Sequence, residues 1–303
     1  MSRAATRPGW RLIDCRGDQA EGLRRILSFS RARTIAVVAG TRGAGATSCV
    51  VNLGAALSAQ GRRVLIVDEN FSSQNVAQSL GVRPRFDLKH VIAGDCRLGD
   101  ALLKAPAGLT LLAASRAAHA LPRLDSASER RAIACFAELD AAADIVLLDV
   151  RNDAHEPSAF ANAAQEVIVV VSPGPSSITG GYSAMKRMSR VAGRERFRML
   201  VNRGDAETTE IIHKNMAHAA GKHLEVALQL MGAIPDDPAI SDAMQRFVPA
   251  VAAAPYADAS RRFTEQASAM MRWSAPQDDA SRLDNFMQRA LTVSRLVAAG
   301  AGA

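Results

Sequence analysis

The residues with the clearest chemical use lie in a glycine-bearing loop, which joins an apolar run to a stretch of helical pattern. Residues 40–48 read Gly-Thr-Arg-Gly-Ala-Gly-Ala-Thr-Ser. Glycines allow backbone N–H groups to approach phosphate oxygens, and the N-terminus of the following helix adds positive potential. The strand–loop–helix order therefore predicts a phosphate-binding loop. The residues assigned to nucleotide binding in it are Gly40, Arg42, Gly43, Ala44, Gly45, Ala46, Thr47 and Ser48.

The loop contains no lysine. A Walker A loop places a Lys directly before its Ser/Thr, where it reaches the β- and γ-phosphates. That position is Ala46 here. Arg42 is a substitute cation within the loop, but it projects from a different point, and Arg and Lys geometries are not interchangeable. The sequence therefore predicts the scaffold of an ATPase without its main charge.

Apolar strands alternate with helical stretches on both sides of the loop, and several strands are continuous Val/Ile/Leu runs, as expected when both faces are buried. The predicted strands are Thr34–Ala39, Arg63–Val67, Leu109–Ala113, Ile145–Asp149, Glu166–Ser172, Phe197–Asn202 and Leu228–Ile234. The predicted helices are Ser48–Ala59, Ser126–Ala142, Ile178–Val191, Thr208–Ala220 and Pro238–Arg246. This alternation predicts an α/β fold with a doubly wound, mainly parallel sheet and flanking helices.

The 303 residues allow one large α/β domain with extensions. We divide them into a basic tail (1–33) with one short helix (Ala20–Phe29), a main domain (34–275), and a C-terminal helix with a frayed end from Ala298 (276–303). The net charge of +7 favours an anionic partner such as nucleic acid, anionic lipid or an acidic protein, although arginines also serve simply as solubilising residues. No apolar run is long enough to span a bilayer and no continuous signal-peptide core is present, which predicts a cytoplasmic protein.

In this context the loop resembles the deviant Walker A motif of the MinD/ParA group of P-loop ATPases, whose pattern is xKGGxGK[ST]. The group's signature Lys falls on Thr41, one of its glycines on Arg42 and its P-loop Lys on Ala46. The resemblance implies ATP or ADP with Mg²⁺ as cofactor and Thr47 as a Mg²⁺ ligand. Both lysines are absent, so whether nucleotide binds is left open.

Residues 64–71 resemble the strand of this group that ends in Asp-x-Asp. Asp68 matches the first Asp, whereas the second, which positions the attacking water, is Asn70. A neutral amide cannot accept a proton, so general-base help is lost. These two residues occupy the catalytic positions of the group, but we assign neither as catalytic.

Residues 144–149 resemble a Walker B strand that ends in Asp149. The resemblance implies Thr47, Asp68 and Asp149 as the Mg²⁺ site. The Thr-x-x-Gly continuation of the group is Val150–Asp153 here, with Asp153 in place of the Gly. Together with Thr41, Ala46 and Asn70, this departure predicts a pseudo-ATPase, since phosphoryl transfer depends on such charges.

Three further segments match the group in order and spacing. Residues 169–182 are similar to the PEPTSITDAY segment of MinD and FlhG proteins, with Gly174 and Gly180 in place of the Glu and Asp. Asn202 lies where the group's Asn recognises adenine. Residues 232–239 resemble the G-x-IP-x-D motif that lines the adenine pocket, which implies Pro235 and Asp236 as nucleotide contacts.

Residues 18–25, Asp-Gln-Ala-Glu-Gly-Leu-Arg-Arg, look like the DQAxxLR element of FlhG proteins, also called FleN or YlxH. In that family the element is a short helix that engages the GTPase domain of FlhF. The resemblance implies an FlhF-type GTPase partner, contacted by Asp18, Gln19, Leu23 and Arg24. The alternative is a helix that only packs on its own domain. The likeness to FlhG covers residues 18 to about 275.

A C-terminal segment, residues 281–297, places apolar residues on one face at helical spacing, with arginines beside them. One interpretation is a helix that lies on an anionic membrane surface through Leu283, Phe286, Met287 and Leu291. The other is that the same stripe docks on the domain. The pattern favours neither.

We interpret the chain as an FlhG-like regulator of flagellar number or placement that acts through an FlhF-type GTPase and flagellar switch or transcription components, in the cytoplasm or at the inner membrane or cell pole. The alternative is an active MinD-type ATPase that cycles between a monomer and a membrane-associated ATP-bound homodimer. Thr41 argues against it, because the signature Lys closes that dimer. A ParA-like nucleic-acid binder ranks lowest, because the element at 18–25 has no role in it.

Overall fold

A computed structural model of the chain describes residues 32–70, 72, 75–150, 158–273 and 282–300. The chain divides into two units, Met1–Ser30 and Arg31–Ala303, and every described residue belongs to the second. The predicted helix Ala20–Phe29 lies outside the described residues.

One mixed sheet forms the centre of the second unit. Its strands are β1 (Arg33–Ala39), β2 (Val64–Asp68), β3 (Leu102–Lys104), β4 (Thr110–Ala113), β5 (Ile145–Asp149), β6 (Glu166–Val171), β7 (Arg196–Asn202) and β8 (Ala227–Ile234). They lie in the order β3-β4-β2-β5-β1-β6-β7-β8. Neighbours pair in parallel except β3 and β4, which are antiparallel.

Helices connect the strands and cover both faces of the sheet. They are α1 (Ala46–Ala59), α2 (Val76–Ser79), α3 (Leu88–Ala93), α4 (Leu98–Ala101), α5 (Ser115–Ala120), α6 (Ser126–Asp140), α7 (Ala159–Ala163), α8 (Pro175–Ala192), α9 (Ala206–Leu224), α10 (Pro238–Gln245), α11 (Ala250–Ala253), α12 (Asp258–Met271) and α13 (Leu283–Gly300). Short 3₁₀ turns occur at Pro106–Gly108 and Leu121–Arg123.

Strand residues alternate between two hydrophobic clusters, because successive side chains of a strand point to opposite faces. In β1, Ile35 and Val37 belong to the cluster that contains residues of α1 and α12. Ala36 and Val38 belong to the cluster that contains residues of α6, α8 and α13. Burial on both faces explains the unbroken apolar strands and confirms the predicted doubly wound, mainly parallel α/β fold.

The predicted strands are all present, with bounds that differ by one residue or less at each end. Arg33, which we placed in the tail, is the first residue of β1. The short edge strand β3 and the helix α12 were not predicted. Ala298 was expected to start a frayed tail, but α13 continues to Gly300.

The C-terminal helix α13 docks on the domain, against α6 and α7. Its four apolar residues proposed for membrane contact, Leu283, Phe286, Met287 and Leu291, are at most 4% exposed. The membrane alternative is therefore not the arrangement in the structure, because the face that would enter a lipid surface lies in the core. Within the described residues, we find no helix with the length and apolarity needed to cross a membrane.

Candidate phosphate-binding site

The loop between β1 and α1 has the backbone of a phosphate-binding loop. Gly43 and Gly45 adopt φ angles of 83° and 96°, which lie in the left-handed region that favours glycine. The loop turns back on itself through a 3.2 Å hydrogen bond from Ala44 N to Thr41 O. Gly45 directly precedes α1, so the loop ends at the N-terminus of that helix, where the helix dipole is positive.

The backbone at Gly40, the first residue of the loop, packs directly against the backbone of the first turns of α8. A Cβ atom at Gly40 would lie 2.1 Å from the carbonyl oxygen of Ser177. A Cβ atom at Gly180 would lie 1.7 Å from Gly40 O and 3.1 Å from Thr41 Cγ2. Gly180 and Thr41 are the positions where the resemblance expects an Asp and the signature Lys. The structure therefore brings the two positions into contact, with both charges replaced.

The outer side of the loop is held by the end of β7. The side-chain amide of Asn202 donates a 2.9 Å hydrogen bond to Ala44 O, and Arg203 donates one of 2.8 Å from Nη2 to Gly43 O. Asn202, expected at an adenine base, thus contacts the loop itself. A side chain at Gly45 has no room, because its Cβ would lie 2.1 Å from Asn202 Nδ2.

The carboxyl ends of β2 and β5 bring the predicted Mg²⁺ residues together beside the loop. Asp68 and Asp149 are paired residues of the two parallel strands. Thr47 donates a 2.8 Å hydrogen bond from Oγ1 to Asp149 Oδ2. The amide nitrogen of Asn70 lies 3.3 Å from Thr47 Oγ1 and 3.4 Å from Asp149 Oδ2. The Asn70 amide therefore contacts two of the three groups that would hold a cation.

Burial shifts both carboxyl groups towards the neutral form. It raises the pKa of Asp149 to about 7, against the opposing effect of the hydrogen bonds from Thr47 and Asn70. Burial also raises the pKa of Asp68 well above its usual value, and the nearby charge of Asp149 raises it further. Backbone N–H groups of Asn70, Ala77 and Val76 lower it in opposition. A divalent cation would relieve this repulsion.

Two polar atoms at the site are buried without a hydrogen-bond partner, Ser48 Oγ and Asp149 Oδ1. Buried polar groups are normally paired, so such atoms point to a missing ligand. A phosphate oxygen would pair with Ser48, and a cation or its water would pair with Asp149. The donor set of one hydroxyl and two carboxylates fits Mg²⁺, which is usually bound by one or two carboxylates plus substrate phosphates. The residues present therefore fit Mg²⁺ with a nucleotide phosphate.

Among the residues that the structure describes, no larger acidic cluster competes for a metal. Within the described part of the chain, no group of three or more His, Cys, Asp or Glu side chains could hold a metal ion. A cation at Thr47, Asp68 and Asp149 would therefore take its remaining ligands from phosphate oxygens and water.

The positive charges that act on a transferred phosphoryl group are absent from the expected positions. Ala46 is buried at 8% exposure, and Thr41 is neutral. Arg42 is exposed and makes no hydrogen bond or ion pair with a described residue. The geometry therefore suits a phosphate chain bound through backbone N–H groups and hydroxyls, but neither lysine position carries the cation that stabilises a phosphoryl transition state.

The segment predicted to line an adenine pocket, with Pro235 and Asp236, follows β8. Pro235 is half-buried and Asp236 is exposed. The next residue, Asp237, has a structural role that the sequence did not indicate: its carboxylate accepts hydrogen bonds of 2.9 Å from Ala239 N and 3.1 Å from Ala259 N. It thereby caps α10 and ties it to α12.

Some predicted residues lie outside the described part of the chain. These are the four partner residues Asp18, Gln19, Leu23 and Arg24, and Asp153 after β5. The contact of Arg203 with the loop is a feature of this candidate site that sequence reasoning missed. Only its position directly after Asn202 pointed to it.

Comparison with known proteins gives consistent matches. Residues 35–250 match the CobQ/CobB/MinD/ParA nucleotide binding domain. The chain is 31% identical over 269 residues to the antiactivator FleN of Pseudomonas aeruginosa, across 88% of this chain and 96% of FleN. It is 24% identical over 157 residues to the flagellum site-determining protein YlxH of Helicobacter pylori, across 52% of this chain and 53% of YlxH.

The fold is also similar to a solved structure, the septum site-determining protein MinD complexed with Mg-ADP from Pyrococcus horikoshii. The TM-score is 0.60 at 23% identity, over 80% of this chain and 96% of that chain. At this identity the likeness shows a shared fold.

Proposed function

The chain belongs to the CobQ/CobB/MinD/ParA nucleotide-binding family, and within it to the group of FleN and YlxH. From that premise we propose that it is a regulator of flagellar number or placement that binds ATP or ADP as a regulatory ligand and is deficient in ATP hydrolysis. In this proposal the chain acts by binding its partners, and the bound nucleotide regulates that binding.

The observation that carries this proposal is the arrangement of Asn70, Thr47 and Asp149. A phosphate-binding backbone and the Mg²⁺ donor set are both present, but an amide nitrogen lies 3.3 Å from the Thr47 hydroxyl where the family places its second carboxylate. An amide cannot take a proton from an attacking water. The groups that would bind the nucleotide and Mg²⁺ are thus retained, whereas the carboxylate that would assist hydrolysis is replaced.

The absence of both lysines from the loop should lower the rate of ATP hydrolysis further. Ala46 offers no charge to the β- and γ-phosphates, and Thr41 offers none to the phosphates of a second copy across a dimer. Loss of a transition-state cation costs about 10³-fold or more in phosphoryl transfer. Backbone N–H groups and the Ser48 hydroxyl still support binding of the phosphate chain.

The flagellar part of the proposal is supported by the relatives and by the N-terminal element. YlxH is named a flagellum site-determining protein, and FleN is named an antiactivator. Residues 18–25 match the element by which FlhG proteins engage the GTPase FlhF. We infer an FlhF-type GTPase as the partner, with Arg24 and its neighbours acting near the partner's nucleotide.

Two measurements on the full chain test the proposal. Calorimetric titration with Mg²⁺-ATP should show binding, and phosphate release by the same sample should stay at background. FlhF-type GTPase activity should rise when the full chain is added and should not rise with a chain that lacks residues 18–25. Absence of ATP binding would remove the regulatory-ligand role, and an equal GTPase response without residues 18–25 would remove the partner assignment.

A further inference from the structure

Two consecutive residues at the end of β7 hold two consecutive carbonyl groups of the phosphate-binding loop. Asn202 binds Ala44 O at 2.9 Å and Arg203 binds Gly43 O at 2.8 Å. In a trans peptide the C=O and N–H point in opposite directions. The bond to Ala44 O therefore turns the N–H of Gly45 away from β7. The loop conformation thus depends on contacts from outside the loop.

Arg203 holds this position with a strained backbone. Its φ angle is 59°, in the left-handed region that long side chains rarely adopt. Such strain costs about 1–3 kcal/mol and persists only where surrounding contacts enforce it, often at ligand sites. The side chain is exposed, and apart from its bond to Gly43 it makes no hydrogen bond or ion pair with a described residue. A guanidinium has five N–H donors, so most of its donors remain for a ligand.

The guanidinium of Arg203 lies at the loop that leads into α1. It donates a hydrogen bond to Gly43 O, and only Ala44 and Gly45 separate Gly43 from the first residue of α1. The positive charge therefore lies near the helix end where a phosphate chain would bind. Neither Thr41 nor Ala46 carries a charge there.

We propose that Arg203 supplies the positive charge for binding a nucleoside di- or triphosphate that a lysine supplies in other phosphate-binding loops, and that it acts through Gly43 as a positioning residue on the outer side of the loop. The inference rests on the proposed nucleotide-binding function. It assigns Arg203 to recognition of the phosphate chain and not of the base.

The test is equilibrium binding of ATP, AMP and adenosine to the full chain and to four variants, one of which, Arg42→Gln, removes the charge within the loop. Arg203→Gln removes the charge, Arg203→Lys keeps it, and Arg83→Gln removes one charge from an exposed position outside the loop. Arg203→Gln should weaken ATP binding about tenfold or more, since charge-assisted hydrogen bonds are the strong ones. Adenosine binding should change less than about twofold, and Arg203→Lys should fall between. Arg83→Gln should bind like the wild type.

Salt provides a readout that a purely structural role would not change. ATP affinity of the wild type should fall more steeply with salt than that of Arg203→Gln, because screening weakens only the charge that is present. The inference is overturned if Arg203→Gln binds ATP like the wild type, if it loses ATP and adenosine equally, or if Arg42→Gln loses more ATP affinity than Arg203→Gln. A wild type that binds no ATP refutes the proposed function as well, whereas a binding wild type with an unaffected variant refutes this inference alone.

Discussion

Gly180 packs against Gly40 so closely that a Cβ atom at Gly180 would lie 1.7 Å from the carbonyl oxygen of Gly40. The first turns of α8 therefore fix the inner end of the phosphate-binding loop by direct backbone contact. In the related ATPases this helix position is an Asp and the neighbouring loop position is a Lys. Here Gly180 and Thr41 leave a compact, uncharged contact in their place.

Gly180→Ala should displace the loop, because the added methyl group meets backbone that cannot move away. We expect a stability loss of about 1–3 kcal/mol, as for overpacked sites, together with weaker ATP binding. Thermal unfolding and calorimetric titration measure the two effects. Gly174→Ala is the matched control, since Gly174 has an extended φ of 176° and nothing within 4 Å of its Cβ position. Equal effects of the two variants would contradict the account of the contact.

Thr47→Val should destabilise the chain and weaken Mg²⁺-dependent nucleotide binding. The valine retains the shape but removes the hydroxyl that donates to Asp149 at 2.8 Å. Loss of a partner from a buried polar group costs about 1–3 kcal/mol. Chemical denaturation with and without Mg²⁺-ATP measures both effects. Thr47→Ser keeps the hydroxyl and should behave like the wild type, and a serine variant as defective as the valine variant would argue against the hydroxyl.

Asp149 should make stability depend on pH. Its pKa rises on folding from 3.8 to about 7 through burial, so the folded state holds the proton more tightly. The contribution to stability is therefore fully present below about pH 4 and is lost as the pH rises to about 7. Asp68 changes stability in the same direction.

Asp149→Asn removes this dependence at one group. In buffer with a chelator, the melting temperature of the wild type relative to the variant should fall between about pH 4 and pH 7 and then level off. A constant difference across that range, measured by scanning calorimetry, would show that Asp149 titrates normally.

Phe286→Ala should destabilise the domain by about 3–5 kcal/mol, as expected for a buried aromatic side chain. The ring is 1% exposed, packs at a tilt against Phe136 with a centroid distance of 5.5 Å, and stacks on Phe160 at 6.0 Å. Leu296→Ala on the same helix alters a residue that is 59% exposed. That control should change stability by less than about 0.5 kcal/mol. Denaturant unfolding that gives a small loss for Phe286→Ala would indicate that α13 is not docked in solution.

The sheet was predictable because its central strands are buried on both faces and read as unbroken apolar runs. Helix α12 was not predictable in this way, because Ala257 before it provides no side-chain cap to mark its start. The docking of α13 could not be decided from sequence, since one apolar stripe suits either a core or a membrane. Its contacts with α6 and α7 decide the matter.

The site was predictable wherever a motif is local in sequence. The loop, Asp68 and Asp149 lie at strand ends, and parallel strands bring their carboxyl ends to one edge. The bond between Arg203 and Gly43 joins residues 160 positions apart. The spacing of the motifs in the sequence does not predict a contact between residues so far apart. The packing of Gly180 on Gly40 likewise depends on how α8 meets the loop.

The central claim is that this chain binds ATP and leaves it intact. The most direct measurement mixes radiolabelled ATP and Mg²⁺ with excess protein, so that each ATP is bound and only one turnover is possible. The separated nucleotide should remain ATP over several hours, at the rate of loss seen without protein. Conversion of the bound nucleotide to ADP within minutes would contradict the account, because Asn70 and the lysine-free loop would then support hydrolysis.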